Sequence, residues 1–265
     1  MIMKRIVKYV LMVFIYICSF LLFACNKKAN VTEKFGIIGA MDIEVASLKE
    51  VTKVRNTIEI ADMEFCEGTL GKNEVVIVKC DMGKVNAGIC ANILIRDFNC
   101  TKIINTGCAG SLDNRIDIGD VVVSTDAVQH DFDVEYLGYA KGEIPYTGLF
   151  AFPADEVLRE MAVNAVKETT PEAKVFEGRV CSGDQFISKK EQKEKIISDF
   201  GGLCCEMEGA AIAHVCYLHK IPFVIIRAIS DKPDETQFVE YQVFEKDAAM
   251  KSAKIVQYMI ENYKG

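Results

Sequence analysis

Two acidic side chains stand at positions from which a carboxyl group could take part in acid–base chemistry. Glu44 falls in the first turn of a predicted helix, and Asp231 comes at the end of the largely apolar run that begins at Phe223. Each position also has a structural explanation. The helix macrodipole favours an acid in the first turn, and an acid just before Lys232-Pro233 could cap a turn. The two residues alone leave both explanations open.

A second pair of acids, Glu206 and Glu208, flanks Met207 at the start of another predicted helix. Apart from Glu208, this helix carries no Asp, Glu, Lys or Arg as far as Val215. A carboxylate beside so apolar a helix needs hydrogen-bond partners, because burying it unpaired is costly. Ligand hydroxyl groups or the free N–H groups at the helix start could both fill that need.

The elements that must position these acids alternate regularly along the chain. Strands are predicted at 35–38, 74–80, 102–105, 121–124, 175–182 and 223–229. Helices are predicted at 42–50, 85–98, 155–169, 189–200, 207–219 and 244–263. Apolar strands that alternate with helices predict one α/β domain with a mostly parallel, helix-covered sheet. Such sheets bind ligands at the carboxyl ends of their strands, so the candidate site comprises 39–44, 106–110, 182–186, 206–208 and 230–231.

The segment 107–110, Gly-Cys-Ala-Gly, predicts a tight turn whose backbone a ligand could approach closely. No Gly-x-Gly-x-x-Gly motif follows the first strand, and no lysine follows a glycine-rich loop in the manner of a P-loop. The sequence therefore gives no support to a dinucleotide-binding or P-loop protein.

The N-terminal segment has the features of a secretory signal. The first eight residues contain three basic side chains and no acid, and the uncharged run 9–24 ends immediately before Cys25. A cysteine at that position resembles a bacterial lipobox, in which cleavage leaves a lipid-modified Cys25. We predict a signal peptide at 1–24, a lipid-anchored tether at 25–34 and one folded domain at 35–265. The protein is then exported and held at the cell membrane or outer membrane, although an uncleaved anchor or a plain signal stays open.

Charge and cysteine content exclude two classes of protein. The formal net charge is −7, and the chain lacks the basic patch that nucleic-acid binding requires. Nine cysteines follow Cys25, most of them in apolar runs, and none shows a Cys-x-x-Cys spacing. We therefore predict core thiols rather than a metal site or a complete disulfide framework.

Taken in order, the motifs resemble those of one family, the bacterial 5′-methylthioadenosine/S-adenosylhomocysteine nucleosidases. The matching stretches are 36–44, 105–110, 118–124, 182–187, 206–208, 213–215 and 222–231. The resemblance covers residues 35 to 264. It implies a single-domain, three-layer nucleoside phosphorylase-like fold with a central mixed, mostly parallel sheet, and a homodimer that uses no metal and no organic cofactor.

The resemblance also implies a reaction, the hydrolysis of the N-glycosidic bond of 5′-methylthioadenosine and S-adenosylhomocysteine to adenine and the thioribose product. The nucleoside 5′-deoxyadenosine is a further candidate substrate. By this resemblance Glu44 activates the attacking water, and Asp231, with Ser230 beside it, protonates nitrogen 7 of adenine. Two carboxyl groups then act on an oxocarbenium-like transition state, as in sugar hydrolysis.

Substrate-binding residues are implied by the same resemblance. Glu208 and Met207 contact the ribose, Phe186 stacks on adenine, and the Ile187 backbone reads the edge of the base. Tyr241 falls near the aromatic residue that covers the ligand in the family. The whole implied binding set is Met41, Cys108, Ala109, Gly110, Phe186, Ile187, Glu206, Met207, Glu208, Arg227, Ser230 and Tyr241.

One of these residues departs from the family. Cys108 stands where the family usually has serine, and a thiol is a weak hydrogen-bond partner. Any polar contact that the family makes through this side chain is therefore expected to be weaker in this chain.

Three alternatives remain open. A purine nucleoside phosphorylase of the same fold would need cations for phosphate, but residues 41–44 contain none and the first one downstream is Lys49. A non-catalytic nucleoside-binding lipoprotein would not need both Glu44 and Asp231. A sister hydrolase that acts on aminofutalosine is hardly separated by the sequence.

Overall fold

Ten strands and six α-helices make up the described part of this computed structural model, residues 33–232 and 237–264. The strands are β1 Lys34–Gly39, β2 Lys53–Ile60, β3 Met63–Leu70, β4 Asn73–Lys79, β5 Lys102–Ser111, β6 Val121–Gln129, β7 Phe152–Pro153, β8 Val175–Ser182, β9 Cys204–Glu206 and β10 Phe223–Asp231. The helices are α1 Asp42–Val51, α2 Lys84–Arg96, α3 Glu156–Thr169, α4 Lys190–Phe200, α5 Gly209–His219 and α6 Gln237–Asn262. The predicted signal peptide and the predicted lipid site at Cys25 lie outside the described residues.

The strands form one mixed sheet in which β5 is the central element. Its first half pairs in parallel with β1, its last residues pair antiparallel with β9, and β10 runs parallel along its other side. Because β10 also pairs with β6, and β6 connects through β8 to β9, these five strands close into a ring. The remaining strands extend the sheet outward from β1 through β4 and β3 to β2. The predicted mixed α/β sheet is confirmed.

Helices cover both faces of the sheet and give the molecule three layers. One buried apolar cluster joins the sheet to α2 and α5, and a second joins it to α1, α3 and α6. Ile37 and Ile38 are neighbours in β1 but belong to different clusters, because successive strand residues point to opposite faces. Within the described residues, no helix has the length and apolar character that a membrane crossing needs.

The predicted turn at 107–110 is wrong, because this segment belongs to β5. The strand continues to Ser111, and Gly107 and Gly110 pair with Arg227 and Asp231 of β10. The small residues serve packing here rather than chain reversal. A Cβ atom at Gly107 would lie 2.1 Å from Nη1 of Arg227, so the glycine gives the arginine room beside the strand.

The registers of the sheet bring the predicted strand ends together. Asp231 at the end of β10 pairs with Gly110 of β5, and Ser182 at the end of β8 pairs with Glu206 of β9. The chain leaves β1 at Gly39 and enters α1 at Asp42 beside the same edge. Five separate stretches of sequence therefore meet at one edge of the sheet.

Candidate active site

A cavity of about 380 Å³ opens at this edge of the sheet. It is lined by Ala40, Met41, Glu44, Met82, Cys108, Ala109, Gly110, Gln185, Phe186, Ile187, Cys205, Glu206, Met207, Glu208, Ser230, Asp231 and Tyr241. Of the residues predicted for the site, the structure brings all into the lining except Arg227, which lies behind the wall. Among the described residues, His, Cys, Asp and Glu side chains form no group of three or more that could hold a metal ion.

Glu44 is held by the backbone on both sides of its carboxylate. The N–H groups of Ala40 and Met41 donate to Oε2 at 2.6 Å and 3.0 Å, and the N–H of Cys108 donates to Oε1 at 3.1 Å. The first two bonds exist because Glu44 stands at the third position of α1, where a side chain can reach back to the chain entering the helix. The side chain is 2% exposed, so its direction into the cavity is fixed.

Gly107 separates Glu44 from Arg227 and allows both to approach β5. A Cβ atom at this position would lie 2.4 Å from Oε1 of Glu44 and 2.1 Å from Nη1 of Arg227. Such distances are far below van der Waals contact, so any larger residue would displace one of the two charged groups. Glycine is therefore required at this point for the close approach of side chains, and not for its backbone freedom.

Asp231 lines the cavity at the end of β10. An irregularity in the pairing of this strand sets the direction of the Asp231 side chain. The pairing of β10 with β5 shifts between Ile229 and Asp231, which leaves Ser230 as an extra residue. Such bulges redirect side chains next to functional sites. The hydroxyl of Ser230 donates to Oδ1 of Asp231 at 2.7 Å, and Asp231 is 3% exposed.

Arg227 organises a buried charge network behind the cavity wall. Its Nη2 donates to Oδ1 of Asn105 at 2.6 Å and to Oε2 of Glu206. The same Nη2 lies 3.7 Å from Oε2 of Glu208. Burial alone would lower the pKa of the Arg227 guanidinium, but Glu206, Glu208 and Glu44 raise that pKa above its usual value. Arg227 is therefore a permanent cation that balances the acids around it.

Both carboxylate oxygens of Glu206 accept hydrogen bonds from protein groups. Its Oε2 accepts from the N–H groups of Glu208 at 3.0 Å and Gly209 at 2.7 Å, in addition to Arg227. Its Oε1 accepts from the hydroxyl of Ser182. These bonds cap the start of α5. The sequence left two kinds of partner open for Glu206, a ligand hydroxyl group and the N–H groups at the helix start. The structure shows that Glu206 caps the helix and supports the site.

Glu208 is the more available of the two acids. Its Oε1 accepts from the N–H of Gly83 at 2.8 Å, and Glu208 lines the cavity. Burial and the charge of Glu206 raise the pKa of Glu208 to about 7, although Arg227 and the Gly83 N–H oppose the rise. The carboxyl group of Glu208 thus titrates near neutral pH, and its ionised form can accept a hydrogen bond from a ligand hydroxyl.

Cys108 contacts Glu44 through both backbone and side chain. Its thiol lies 3.7 Å from Oε1 of Glu44, within the distance of a sulfur hydrogen bond. Burial and the Glu44 carboxylate raise the pKa of the thiol well above its usual value. The neutral thiol can donate weakly to Glu44, so the substitution of cysteine for the family's serine keeps a donor at this position.

Two aromatic side chains face each other at the mouth of the cavity. The rings of Phe186 and Tyr241 meet edge to face, with centroids 5.6 Å apart. The hydroxyl of Tyr241 lies 3.3 Å from the sulfur of Met41. Ile187 is buried behind Phe186, in a small cluster with α4. An aromatic and thioether rim of this kind suits a flat heterocycle with an apolar substituent.

Several residues of the site are not among those that the sequence predicts. Met82 and Cys205 line the cavity from outside the predicted stretches, whereas Ala40 and Gln185 lie within the predicted stretches 39–44 and 182–186 but have no predicted role. Asn105 and Gly83 hold Arg227 and Glu208 from elements far away in the chain. A signal existed only for Asn105, a polar residue that directly follows an apolar strand segment. The others act through contacts between elements, which spacing does not reveal.

Comparison with known proteins identifies the family. A model of the phosphorylase superfamily matches residues 34–261. The 5′-methylthioadenosine/S-adenosylhomocysteine nucleosidase of Staphylococcus carnosus is 40% identical over 228 residues, which cover 86% of this chain and 99% of the relative. The enzyme of that name from Neisseria meningitidis, solved in complex with methylthio-immucillin-A, has a TM-score of 0.84 at 36% identity, with 87% of this chain and 100% of that one covered. A futalosine hydrolase of Helicobacter pylori has a TM-score of 0.83 at 31% identity, with 89% and 100% covered. The chain belongs to the phosphorylase superfamily and, within it, to the family of 5′-methylthioadenosine/S-adenosylhomocysteine nucleosidases.

Proposed function

We propose that this protein hydrolyses the N-glycosidic bond of 5′-methylthioadenosine and S-adenosylhomocysteine and releases adenine. The observation that carries the proposal is the presence of two buried carboxyl groups, Glu44 and Asp231, in the lining of one cavity. They come from opposite ends of the chain and are fixed by separate contacts. Relatives of this length and identity bear the same activity in their names, which supports the assignment.

The proposed reaction divides the two carboxyl groups into an acid and a base. Asp231 donates a proton to nitrogen 7 of adenine, so that the base leaves as a neutral molecule when the bond between C1′ and nitrogen 9 breaks. Glu44 takes a proton from water as the water oxygen bonds to C1′. The positive charge that develops on the ribose in the transition state lies near the Glu44 carboxylate, which stabilises it.

The surroundings of Glu44 favour water over phosphate as the nucleophile. Among the described residues that line the cavity, none is lysine or arginine. Arg227 lies nearby but donates to Glu206 and Asn105. A phosphate dianion beside Glu44 and Glu208 would meet acids without a cation to balance it, so hydrolysis is the better-supported reaction than phosphorolysis.

The rest of the cavity fits an adenine nucleoside. We assign Phe186 to stacking on the purine and the ionised Glu208 to accepting from ribose hydroxyls. The rim around Met41 and Tyr241 would take the 5′ thioether, because thioethers and aromatic rings make favourable contacts.

Adenine release with and without phosphate tests the proposal. The purified protein is incubated with methylthioadenosine, adenosylhomocysteine, aminofutalosine and inosine, and base release is followed by chromatography. We expect adenine from the first two substrates at rates independent of phosphate. Strict dependence on phosphate would assign a phosphorylase, and activity confined to aminofutalosine would assign the sister hydrolase. Binding of nucleosides without any base release would indicate a binding protein.

Two conservative variants test the division of roles. Glu44→Gln and Asp231→Asn keep the shape of each side chain, and each should lower kcat at least about 100-fold because a positioned acid or base contributes that much. Glu44→Gln should still bind substrate, as measured by calorimetry. The matched control is Asp113→Asn, which alters an acid whose partner is the exposed Arg115. Unchanged kcat in either active-site variant would contradict the assigned role.

We further propose that the protein is a homodimer. Three apolar side chains are exposed, Met82 just before α2 and Val85 and Ile89 within it, and Met82 also lines the cavity. A second copy of the chain would cover this surface beside the cavity mouth. Light scattering should give twice the mass of one chain, and Val85→Lys should lower the mass. A single-chain mass at micromolar concentration would overturn this proposal.

We also propose that the mature protein is an exported lipoprotein anchored through Cys25. The basic start, the apolar run 9–24 and the cysteine that follows it support this. The family match begins only at residue 34, so the segment lies ahead of the catalytic domain. Intact-mass spectrometry of the membrane fraction should find an acylated N-terminal cysteine, and Cys25→Ala should abolish it. Recovery of an unprocessed chain with Met1 would contradict the proposal.

A further inference from the structure

Three segments that come from different parts of the chain meet beside the cavity, on the side of Glu208. They are the loop 81–84 between β4 and α2, the segment 129–131 at the end of β6, and the loop 183–186 after β8. Lys84 is the only lysine or arginine in these segments. It is absent from the cavity lining, and so are Asp131 and Asp184. These polar residues therefore have no place in the reaction described so far.

Lys84 joins the three segments through its side chain and its backbone. Its Nζ donates to Oδ1 of Asp131 at 2.5 Å and to Oε1 of Gln129 at 3.2 Å. Its backbone N–H donates to Oδ1 of Asp184 at 2.8 Å. The N–H of Asp184 in turn donates to Oδ2 of Asp131 at 2.9 Å. We call Lys84, Asp131 and Asp184 the Lys84 clasp.

The clasp is directly connected to Glu208 through Gly83. This residue has a φ of +99°, a conformation that glycine adopts without cost. Its N–H points at Oε1 of Glu208 at 2.8 Å, while the next N–H along the chain, that of Lys84, is bound by Asp184. One short turn therefore holds the proposed ribose acid with one peptide group and the clasp with the next.

The clasp is connected to the proposed adenine site on its other side. Asp184 stands two residues before Phe186, and both belong to the loop after β8. The backbone of this loop is fixed to Asp131 by the bond that Asp184 N–H donates. Met82 and Phe186, one from each joined loop, both line the cavity. Movement at the clasp would thus shift two walls of the cavity at once.

We propose that the Lys84 clasp is a positioning device for the proposed nucleosidase reaction, and that it holds Gly83 against Glu208 and sets the distance between the ribose acid and the adenine-stacking loop. The inference rests on the proposed function. Lys84, Asp131 and Asp184 are absent from the cavity lining and act through Gly83 and the loop 183–186.

A positioning role and a purely stabilising role for this ion pair differ in whether its loss affects mainly kcat/KM or mainly the stability of the fold. Ion pairs that remain partly exposed contribute about 0–1 kcal/mol to stability at most sites, so loss of the pair should barely affect folding. Displacement of a binding group by about 1 Å, in contrast, can cost about 100-fold in rate. The clasp should therefore matter far more for kcat/KM than for the unfolding midpoint.

The test is a double-mutant cycle between Lys84→Met and Glu208→Gln, with adenine release from methylthioadenosine as the assay. Lys84→Met should lower kcat/KM about tenfold or more, mainly through KM, because the ribose acid loses its position. In the Glu208→Gln background the same change should cost less than about threefold, since interacting groups are not additive. Lys84→Arg should recover most of the loss, as an arginine can keep the ion pair with Asp131.

A matched control is available at the other end of β1. Lys34 pairs with Glu67 at 2.6 Å, with side-chain exposures of 18% and 23%, against 17% and 15% for Lys84 and Asp131. Lys34→Met should leave kcat/KM unchanged, and its unfolding midpoint should match that of Lys84→Met. If Lys84→Met does not fold, Asp131→Asn removes the charge with little change of shape and takes its place in the cycle.

Two outcomes would overturn the inference. One is full additivity of the Lys84→Met and Glu208→Gln effects, and the other is an effect of Lys84→Met no larger than that of Lys34→Met. Failure of the proposed function would look different, because the unmodified protein would then release no adenine from methylthioadenosine in phosphate-free buffer.

Discussion

Glu206 and Glu208 share one buried guanidinium unequally. Arg227 donates directly to Glu206 but lies 3.7 Å from Glu208. Glu206 also accepts from Ser182 and from two backbone N–H groups, whereas Glu208 accepts from Gly83. Because Glu208 has fewer partners than Glu206, burial raises the pKa of Glu208 to about 7. Glu208 is also the carboxylate that still has capacity to accept a hydrogen bond from a sugar hydroxyl.

Glu208 should make the stability of the protein depend on pH. Its pKa is raised from an ordinary 4.5 to about 7 in the fold. Below pH 4.5 the group is protonated in both states, and as pH rises to 7 only the unfolded chain readily loses the proton, so folding stability falls. The loss corresponds to about 3 kcal/mol. Glu208→Gln should therefore unfold at higher urea concentration than the parent at pH 8 but not at pH 4.5.

Urea titrations at pH 4.5, 6, 7 and 8 measure this difference, with Asp113→Asn as a control that alters an acid whose partner, Arg115, is exposed. A difference of constant size across the whole range would show that Glu208 does not titrate in this window.

Gly107 should tolerate no side chain. A methyl group there would overlap Glu44 Oε1 and Arg227 Nη1, so Gly107→Ala should destabilise the fold by about 1–3 kcal/mol and lower kcat about 100-fold through displacement of Glu44. The matched control is Gly88→Ala within α2, where the nearest atom outside the helix lies at 3.8 Å. That change should stabilise the protein by about 0.5–1 kcal/mol. Equal behaviour of the two variants in urea titrations and activity assays would refute this prediction.

At the scale of elements, a single hydroxyl group connects α6 to the two central strands. Ser252 Oγ lies 2.6 Å from Thr106 Oγ1 and accepts from the N–H of Gly107 at 3.1 Å. It also lies 3.3 Å from the carbonyl oxygen of Ile226 in β10. The helix is therefore registered against the strand segment that carries Gly107 and Cys108.

Removal of this hydroxyl should loosen the contact between helix and sheet. Ser252→Ala leaves the Gly107 N–H and the Thr106 hydroxyl buried without that partner, which should cost about 1–3 kcal/mol of stability. Ser188→Ala, at an exposed position, should stay within about 0.5 kcal/mol of the parent. The unfolding free energies of both variants in urea check the prediction, and equal values would contradict it.

The sequence predicts those strands and helices whose own residues are apolar enough to indicate burial. The apolar runs that became β1, β4 and β10 are buried on both faces, so composition alone identifies them. The hairpin of β2 and β3 was not predicted, because β2 is largely exposed and rich in charge and becomes a strand by pairing with β3. The composition of 107–110 predicts a turn, because the reason for the small size of these residues lies in Glu44 and Arg227, which are distant in sequence.

The candidate site divides in the same way. Glu44, Glu208 and Asp231 could be selected because each stands next to a strand end or helix start. Gly83 and Lys84 could not, since their importance depends on which loops the fold places side by side. Local position predicts the groups that face a ligand, and tertiary contacts determine the groups that hold them in place.

On the scale of the whole molecule, the thiols are distributed through the core. All nine cysteines of the described residues are free, and all but Cys108 are buried. Burial raises the pKa of several of them, that of Cys100 to about 12. The thiolate is the reactive form of cysteine, so the folded domain should resist thiol reagents even where oxidants are present.

Thiol titration tests this resistance. A chain that lacks residues 1–25 should show almost no reaction with Ellman's reagent at pH 8 within minutes, and nine thiols in denaturant. Cys108 lines the cavity, but its raised pKa should keep it slow as well. Rapid reaction of any thiol in the native protein would contradict the prediction, and Cys108→Ser would show whether Cys108 is responsible.

The closed ring of β5, β10, β6, β8 and β9 has a consequence for how the molecule opens. Each of these strands has hydrogen-bonded neighbours on both sides, so none can detach alone, as an edge strand such as β2 can. Their amide hydrogens should exchange with solvent only when the whole domain unfolds. Three of the five strands, β5, β9 and β10, carry residues of the cavity lining. Heating should therefore leave the part of the cavity lining that these strands carry in register until the domain unfolds cooperatively, and activity and native structure should be lost at the same temperature.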